Sequence, residues 1–286
     1  MKNKHKIFIL IITILLIGLL IYNKKYIYSR LFQNKYKVAV IIHGFAPRSF
    51  RYTYKSIEDN IINKLKYKYD VDVYHYSLLS KDNRINSSRL EERDAIINNN
   101  DVNLIKCKKI VKEYQEDLNL INNIKCTNYK EKNMNKNFMR SIYGEMKCIN
   151  EFPIDNYDVC VMVSSDSYII QEIDFYEIED CYKSNCVYTT SYNQWGGLAN
   201  GFYICPPNIL KIICNRYNNF MNWCMYNKNK NAEKFLKYII SSNNILNKDS
   251  NMYYLKIRAN GKSNYYITLI DKYNVKNSNY IKNIFG

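Results

Sequence analysis

The chain is poor in the residues that form flexible linkers and metal clusters. Its 286 residues include 8 glycines, 4 prolines and 3 histidines. No Gly/Ser/Pro-rich run and no internal repeat occurs, and the length predicts one large domain, or one domain with an insertion. The histidines lie far apart, at positions 5, 43 and 75, which argues against a histidine metal cluster.

Two further absences narrow the chemistry. The nine cysteines include no Cys-x-x-Cys pair, so a structural zinc site is not expected. No Gly-x-Ser-x-Gly sequence follows His43-Gly44-Phe45, which argues against an α/β-hydrolase. An odd number of cysteines leaves at least one thiol unpaired. Cys181 and Cys186 would be able to pair in an oxidising compartment, which the sequence leaves open.

Acidic residues are also scarce relative to basic ones. The chain has 42 Lys and Arg against 26 Asp and Glu, a formal net charge of +16. The basic residues are scattered, and the abundant Lys, Asn, Ile and Tyr all have codons rich in A and T. No zinc-finger spacing or aromatic–glycine RNA-binding signature is present. We therefore expect a solvated basic surface that favours anionic partners, and no nucleic acid.

The first 36 residues predict a short cytosolic tail, a membrane anchor and a stem. Ile7 to Tyr22 is apolar and uncharged, and lysines flank it on both sides. Sixteen helical residues span roughly 24 Å, and interfacial lysines and tyrosines can cover the rest of the bilayer. The alternative is a cleaved signal peptide, but no small-x-small cleavage site follows. We expect a single-pass, type II protein of an ER- or Golgi-like or host membrane.

The remainder predicts one domain at 37–274 and a polar tail at 275–286. Short apolar runs alternate with segments of helical spacing, which is typical of an α/β domain with a mostly parallel central sheet. The loop His43–Arg48 follows the first strand, and two polar segments, 81–103 and 125–137, are predicted to be irregular. The predicted strands are 37–44, 71–76, 159–163, 186–190, 202–205 and 253–258. The predicted helices are 56–65, 104–120, 138–150, 206–226 and 231–241.

One strand end predicts a ligand site. The apolar run Val159–Val163 ends in Ser164-Ser165-Asp166. Ligands of open α/β sheets bind just beyond the carboxyl ends of strands, and Mg²⁺ favours one or two carboxylates plus substrate phosphates. The alternative is that Asp166 is a turn former or a helix N-cap.

Four ordered segments resemble GT-A-like glycosyltransferases, in particular those of large DNA viruses and protists. Together they cover about 37–261. They are the first strand with Gly44 … Arg48 and Ser56-Ile57 … Asn60-Ile61; Phe138-Met139-Arg140-Ser141-Ile142-Tyr143 before the strand that ends at Asp166; Trp195-Gly196-Gly197-Leu198-Ala199-Asn200-Gly201-Phe202; and Ala232-Glu233-Lys234-Phe235-Leu236 followed by Ile257-Arg258-Ala259-Asn260-Gly261.

The resemblance implies a GT-A-like, Rossmann-like fold with a nucleotide-sugar donor at the carboxyl edge of the sheet. It also implies a divalent cation, Mn²⁺ or Mg²⁺, bridging the donor diphosphate. In these enzymes an Asp-x-Asp motif holds ribose and metal. The matching residues here are Ser164-Ser165-Asp166, so only Asp166 is left as the metal carboxylate, with Ser164 in the place of its partner.

Other residues have candidate roles at this site, each with a simpler alternative. Arg48 and Arg51 offer planar guanidinium groups to phosphate, or are surface arginines. Trp195 with Gly196 and Gly197 would form a sugar platform, or a hairpin turn with a core tryptophan. Glu233 is a candidate general base, or simply a glutamate in the first turn of a helix. Arg258 is a candidate cation for the leaving diphosphate, or a member of a surface ion pair.

These observations predict a membrane-anchored glycosyltransferase. It would move a sugar from a nucleotide-sugar donor to a glycan or glycoprotein acceptor. The alternative is a non-catalytic, membrane-tethered binding or structural protein with a degenerate glycosyltransferase fold, which the serine at position 164 leaves open.

Overall fold

The computed structural model describes residues 36–85, 92, 94–118, 120, 129–191, 194–226 and 231–263. The predicted anchor at Ile7–Tyr22 and the tail at 275–286 lie outside these ranges. Within them, no helix is both long and apolar enough to cross a membrane.

A seven-stranded, mostly parallel sheet forms the centre of a mixed α/β, Rossmann-like fold. Its strand order is β3-β2-β1-β4-β7-β6-β8, and β7 alone runs against both of its neighbours. A separate antiparallel pair, β5 with β9, lies outside this sheet. The strands are β1 (Lys37–Gly44), β2 (Asp70–Leu79), β3 (Lys109–Tyr114), β4 (Val159–Ser164), β5 (Ser167–Ile169), β6 (Cys186–Thr190), β7 (Phe202–Cys205), β8 (Leu246–Ser250) and β9 (Tyr254–Lys256).

Six longer helices accompany the strands in the described ranges, and several begin at residues that suit a helix start. Pro47 and Pro207 lie in first turns, where a backbone N–H has no acceptor within the helix, so proline loses no hydrogen bond there. Asp174 and Asn231 cap two others through their side chains. The helices are α1 (Ala46–Ile57, continued by a π-helical turn at Glu58–Asn63 and by Lys64–Lys66), α2 (Tyr129–Glu151), α3 (Phe175–Ser184), α4 (Pro207–Cys214), α5 (Arg216–Tyr226) and α6 (Ala232–Ser242).

The core has two apolar layers, one on each face of the sheet. Val38, Val40 and Ile42 of β1 pack with α1 and α3, whereas Ala39 and Ile41 pack with α2 and α4. This alternation follows from the two-residue period of a strand. Full burial stabilises each large aliphatic side chain by roughly 1.5–3 kcal/mol relative to exposure. The central strands are therefore rigid supports for whatever their ends carry.

Four predicted segments differ from the structure, and two strands, β5 and β8, lie where the sequence predicts none. The predicted helix at 104–120 is wrong, because 109–114 is β3, an edge strand whose apolar side chains also fit a helical spacing. The predicted loop after β1 is short, since α1 already begins at Ala46. Part of the segment expected to be irregular at 125–137 is helical, because α2 begins at Tyr129. The predicted helix at 206–226 is two helices separated at Asn215.

The described residues also show the state of Cys181 and Cys186 and the cap of α3. Cys181 and Cys186 are both free and buried, so the pairing that the sequence left open is not present. Asp174 caps α3 by accepting a hydrogen bond from the Tyr176 amide at 2.9 Å.

Candidate functional site

The carboxyl ends of β1 and β4 meet at the point where the strand order reverses. The chain runs outward from β1 to β2 and β3, then returns to β4 on the other side of β1. His43 is paired in register with Ser164, and the Ser165 amide donates to the His43 carbonyl at 2.8 Å. Such a switch point leaves a crevice at the sheet edge, where open α/β sheets bind ligands.

Asp166 follows β4 at this switch point, and a lysine from β9 reaches it. The β5–β9 pairing puts Lys256 opposite Ser167, and the Ile257 amide donates to the Asp166 carbonyl at 2.8 Å. The Lys256 Nζ lies 2.6 Å from Asp166 Oδ1, and Nζ also donates to the hydroxyls of Ser164 and Ser167. Ser164 Oγ itself donates to Asp166 Oδ1 at 2.9 Å.

Three positive groups surround the Asp166 carboxylate. Arg48 Nη1 lies 4.0 Å from Oδ2, and Lys256 and Arg258 add their charges. Burial alone would raise the pKa of the Asp166 carboxyl, but Lys256 and Arg48 outweigh burial and hold that pKa well below its usual range. Asp166 is therefore ionised at any physiological pH.

Arg48 is held in place by Glu92. Its Nε and Nη2 both donate to the Glu92 carboxylate, at 2.9 and 2.6 Å to Oε1, and Nη1 is left facing Asp166. Glu92 also accepts from the Ala259 amide at 3.2 Å. One buried carboxylate thus joins α1 to the turn after β9, and a bidentate arginine–carboxylate pair fixes orientation as well as distance.

A neutral histidine lies in the same region. His43 is 1 % exposed, and neither ring nitrogen has a hydrogen-bond partner within the described part of the chain. Burial and the nearby Lys256 charge lower the pKa of the His43 imidazole to about 3. The positive charge at the switch point therefore comes from lysine and arginine, not from His43.

A glycine at the start of β7 leaves space for Lys256. Gly201 has φ +102°, and a Cβ there would approach both Lys256 Nζ and Ser164 Oγ to 3.0 Å. Because β7 is antiparallel to β4, its first residues lie at the same edge as Asp166. Only glycine combines this backbone conformation with so close an approach.

The predicted platform segment packs on the first turn of α6. The Leu198 amide donates to the Glu233 carbonyl at 3.0 Å, and a Cβ on Gly197 would collide with that carbonyl group. Trp195 is 60 % exposed with φ +42°, which rules out the alternative of a core tryptophan. Gly196, at φ +80°, lies next to the Lys234 side chain.

Glu233 belongs to the electrostatic surroundings of the switch point. Burial raises the pKa of its carboxyl, while its own helix start, Lys256 and Arg216 oppose the rise. A carboxylate with a raised pKa is a better proton acceptor than an exposed one. Below it lies a buried ion pair, in which Arg216 Nη2 contacts Glu145 at 2.8 Å and donates to the Tyr203 hydroxyl at 3.1 Å.

The predicted residues separate into two groups. Arg48, Ser164, Asp166 and Arg258 converge at the switch point. Arg51 does not point there, since its Nε donates to Asp101 at 2.8 Å, in the 3₁₀ turn before β3. The remaining predicted residues form the neighbouring loop and helix start. They are Trp195, Gly196 and Gly197 in the loop before β7, and Glu233 in the first turn of α6.

Two important residues are not found by the sequence argument. Lys256 lies inside a predicted strand, and Glu92 lies in a polar segment treated as a variable loop. One available signal was the spacing of Lys256 and Arg258, because residues two apart in an extended chain face the same side. For Glu92 no local signal exists, since its contacts with Arg48 and Ala259 are far apart in sequence.

A divalent cation at this site would compete with the Lys256 ammonium. Its ligands would be the oxygens of Asp166, Ser164 and Ser167, and all three are already engaged by the Lys256 ammonium. Hard cations need several free oxygen ligands. The described ranges contain no group of three or more His, Cys, Asp and Glu side chains that would hold a metal.

Comparison with models of known protein families and with curated proteins finds no match to this chain.

Proposed function

We propose that this protein is a GT-A-like glycosyltransferase, which moves a sugar from a nucleotide-sugar donor to a glycan or glycoprotein acceptor. The observation that carries the proposal is Asp166 at the topological switch point, with Lys256, Arg48 and Arg258 around it. A nucleoside diphosphate is the kind of anion that such a cluster of lysine and arginine side chains binds.

The fold supports this proposal. A parallel block of β3, β2, β1 and β4 is followed by the antiparallel β7, and a small two-stranded sheet begins directly after Asp166. The four sequence segments that resemble GT-A-like enzymes include the elements next to this edge. The arrangement also agrees with a ligand bound at the carboxyl ends of the strands.

The proposed reaction is displacement at the anomeric carbon of the donor sugar. An acceptor hydroxyl oxygen forms the new bond, the bond from that carbon to the diphosphate oxygen breaks, and its electron pair leaves with the diphosphate. Lys256, Arg48 and Arg258 stabilise the developing negative charge. Glu233 takes the hydroxyl proton, for which its raised pKa suits it.

The loop at 194–201 gives the donor sugar a place to bind. Trp195 is exposed beside the first turn of α6, and an indole ring packs on the apolar face of a sugar. Gly196 and Gly197 allow backbone to approach a ligand or the helix closely. The sugar would then lie between Glu233 and the lysine and arginine side chains that bind the diphosphate.

The test uses the full chain in detergent micelles with a panel of nucleotide sugars and the matching nucleoside diphosphates. We expect one diphosphate to raise the melting temperature and the corresponding nucleotide sugar to be hydrolysed slowly or transferred. No stabilisation by any nucleoside diphosphate would remove the glycosyltransferase proposal. Stabilisation without any cleavage of the donor would support the non-catalytic binding protein instead.

A further inference from the structure

We propose that Lys256 supplies, from within the chain, the positive charge that a bound divalent cation would otherwise supply, so that donor binding and transfer need no metal. This inference rests on the proposed function and states how its diphosphate is held. It concerns Lys256, Asp166 and the two serines that contact them.

Three side-chain oxygens surround the Lys256 ammonium group. Lys256 Nζ contacts Asp166 Oδ1 at 2.6 Å and Ser167 Oγ at 3.2 Å, and donates to Ser164 Oγ. A carboxylate and two hydroxyls are oxygen donors of the kind that hard cations take. A lysine ammonium has three N–H donors, which matches the number of these oxygens. The lysine therefore occupies the position in which this oxygen set would hold a metal.

The backbone around Asp166 leaves space for the Lys256 side chain. Register pairing of β5 with β9 sets Lys256 opposite Ser167, next to Asp166. Gly201 lacks the Cβ that would approach Nζ to 3.0 Å. Three separate elements, β5, β9 and the start of β7, are thus compatible with one ammonium position.

Further positive charges lie around Asp166 and Lys256. Besides Lys256, Arg48 Nη1 lies 4.0 Å from Asp166, and the Arg258 charge also acts on that carboxylate. Arg48 is also paired with Glu92, so three cations face two carboxylates here, and the remaining positive charge repels an added divalent ion and attracts a diphosphate. The Asp166, Lys256 and Arg48 side chains are 21, 16 and 23 % exposed, so a ligand can reach them from solvent.

The first experiment measures binding of UDP, GDP, CDP and ADP to the full chain by calorimetry, in EDTA and in Mn²⁺. We expect one of them to bind with affinities that agree within about twofold in the two conditions. Binding that requires Mn²⁺ would overturn the role of Lys256 and leave the proposed function standing. Absence of binding of all four in both conditions would overturn the proposed function together with this inference.

The second experiment replaces the lysine. Lys256→Ala should weaken diphosphate binding in EDTA by about tenfold or more, because a charge-assisted contact is lost. Mn²⁺ should then restore part of the affinity, since the oxygens of Asp166, Ser164 and Ser167 become available to a metal. Unchanged affinity of the folded variant in EDTA would overturn the inference. If the variant does not fold, the EDTA comparison of the unaltered protein still decides.

The matched control is Lys248→Ala. Lys248 also lies on a strand and pairs with an aspartate, Asp180, at 2.5 Å, but it lies in β8 at the outer edge of the sheet. We expect its diphosphate affinity to equal that of the unaltered protein in EDTA and in Mn²⁺. An equal loss of affinity in both lysine variants would show that the effect is not specific to the switch point and would overturn the inference.

Discussion

Two regions of this protein hold a lysine–aspartate pair of nearly equal length in very different surroundings. At the switch point Lys256 lies 2.6 Å from Asp166, and at the outer edge of the sheet Lys248 lies 2.5 Å from Asp180. We call the second region, formed by α3 and β8, the outer edge. Both aspartates have a lowered pKa, so the pair alone does not separate function from structure.

The difference lies in what else contacts each carboxylate. Asp180 accepts from the Tyr188 hydroxyl at 2.6 Å and from Ser184 at 3.0 Å, so neutral groups complete its hydrogen bonds. Asp166 has instead two arginine charges in addition to its lysine. Charge is therefore balanced between Lys248 and Asp180, whereas at the switch point three cations face the two carboxylates of Asp166 and Glu92. A surplus of cations at a cleft is informative about an anionic ligand, whereas an ion pair by itself is not.

The largest expected effect is on turnover, in Glu233→Gln. Loss of a general base lowers the rate by about 10²–10⁴-fold. The affinity for the nucleoside diphosphate should stay unchanged, because Glu233 acts on the acceptor hydroxyl. Steady-state kinetics with the identified donor and calorimetry with its diphosphate check both parts.

The control for that variant comes from the outer edge. Glu179 in α3 pairs with Lys68 at 2.5 Å, and Glu179→Gln should leave turnover unchanged. A Glu233→Gln variant with normal turnover would remove Glu233 from the mechanism, without touching the assignment of the cations.

A smaller effect is expected when each aspartate is neutralised. Asp166→Asn should lower turnover by about 10–100-fold, because Lys256 loses the carboxylate that fixes its position and small misplacements are costly. Asp180→Asn should leave turnover unchanged. Donor hydrolysis by the two purified variants measures the contrast, and equal rates for both would end the distinction between the two regions.

A backbone comparison tests the space kept for Lys256. Gly201→Ala and Asn185→Ala both place alanine at positive φ, +102° and +45°, and each should cost about 1–3 kcal/mol of stability. Only Gly201→Ala should also weaken diphosphate binding, because its Cβ would press on Lys256 Nζ. Urea unfolding and calorimetry separate the two effects. Equal diphosphate affinities in the two variants would contradict the role given to Gly201.

The smallest expected effect is the acid dependence of the pair at the outer edge. Hydrogen bonds from Lys248 and Tyr188 lower the pKa of the Asp180 carboxyl to about 2, below the value of about 3.9 expected in the unfolded chain. Its stabilisation is therefore present above about pH 4 and is lost as the pH falls through about 2. Asp180→Asn should destabilise by about 1 kcal/mol at pH 7.

Urea unfolding of the unaltered protein and of Asp180→Asn between pH 7 and pH 2.5 checks this dependence. The difference in unfolding free energy should shrink as the pH falls. A difference that stays constant over this range would show that Asp180 does not titrate as the structure indicates.

The central strands could be predicted from sequence because burial on both faces produces continuous apolar runs. Val159–Val163 and Phe202–Cys205 are such runs, and the structure confirms both as strands. The edge strand β3 has no such run. In Lys109–Tyr114 the apolar residues Ile110, Val111 and Tyr114 have a spacing that fits a helix, so only the pairing with β2 identifies the strand.

The candidate site could be predicted only in part, for a related reason. Asp166 and Arg48 follow strand ends, a position that local sequence reveals. A lysine in a strand looks like any solvent-facing lysine until the partner strand is known, and Lys256 meets Asp166 through the β5–β9 pairing. Glu92 likewise becomes important only through contacts with two distant segments.

The pairing of β5 with β9 has a consequence for biosynthesis. The strands β1, β2 and β4 are complete once residue 164 has emerged, and a chain made from the N-terminus can begin to pack them early. Lys256 and Arg258 come about 90 residues later. A nascent chain that lacks β9 therefore exposes Asp166 without its lysine, so the proposed diphosphate-binding edge gains this charge only late in synthesis.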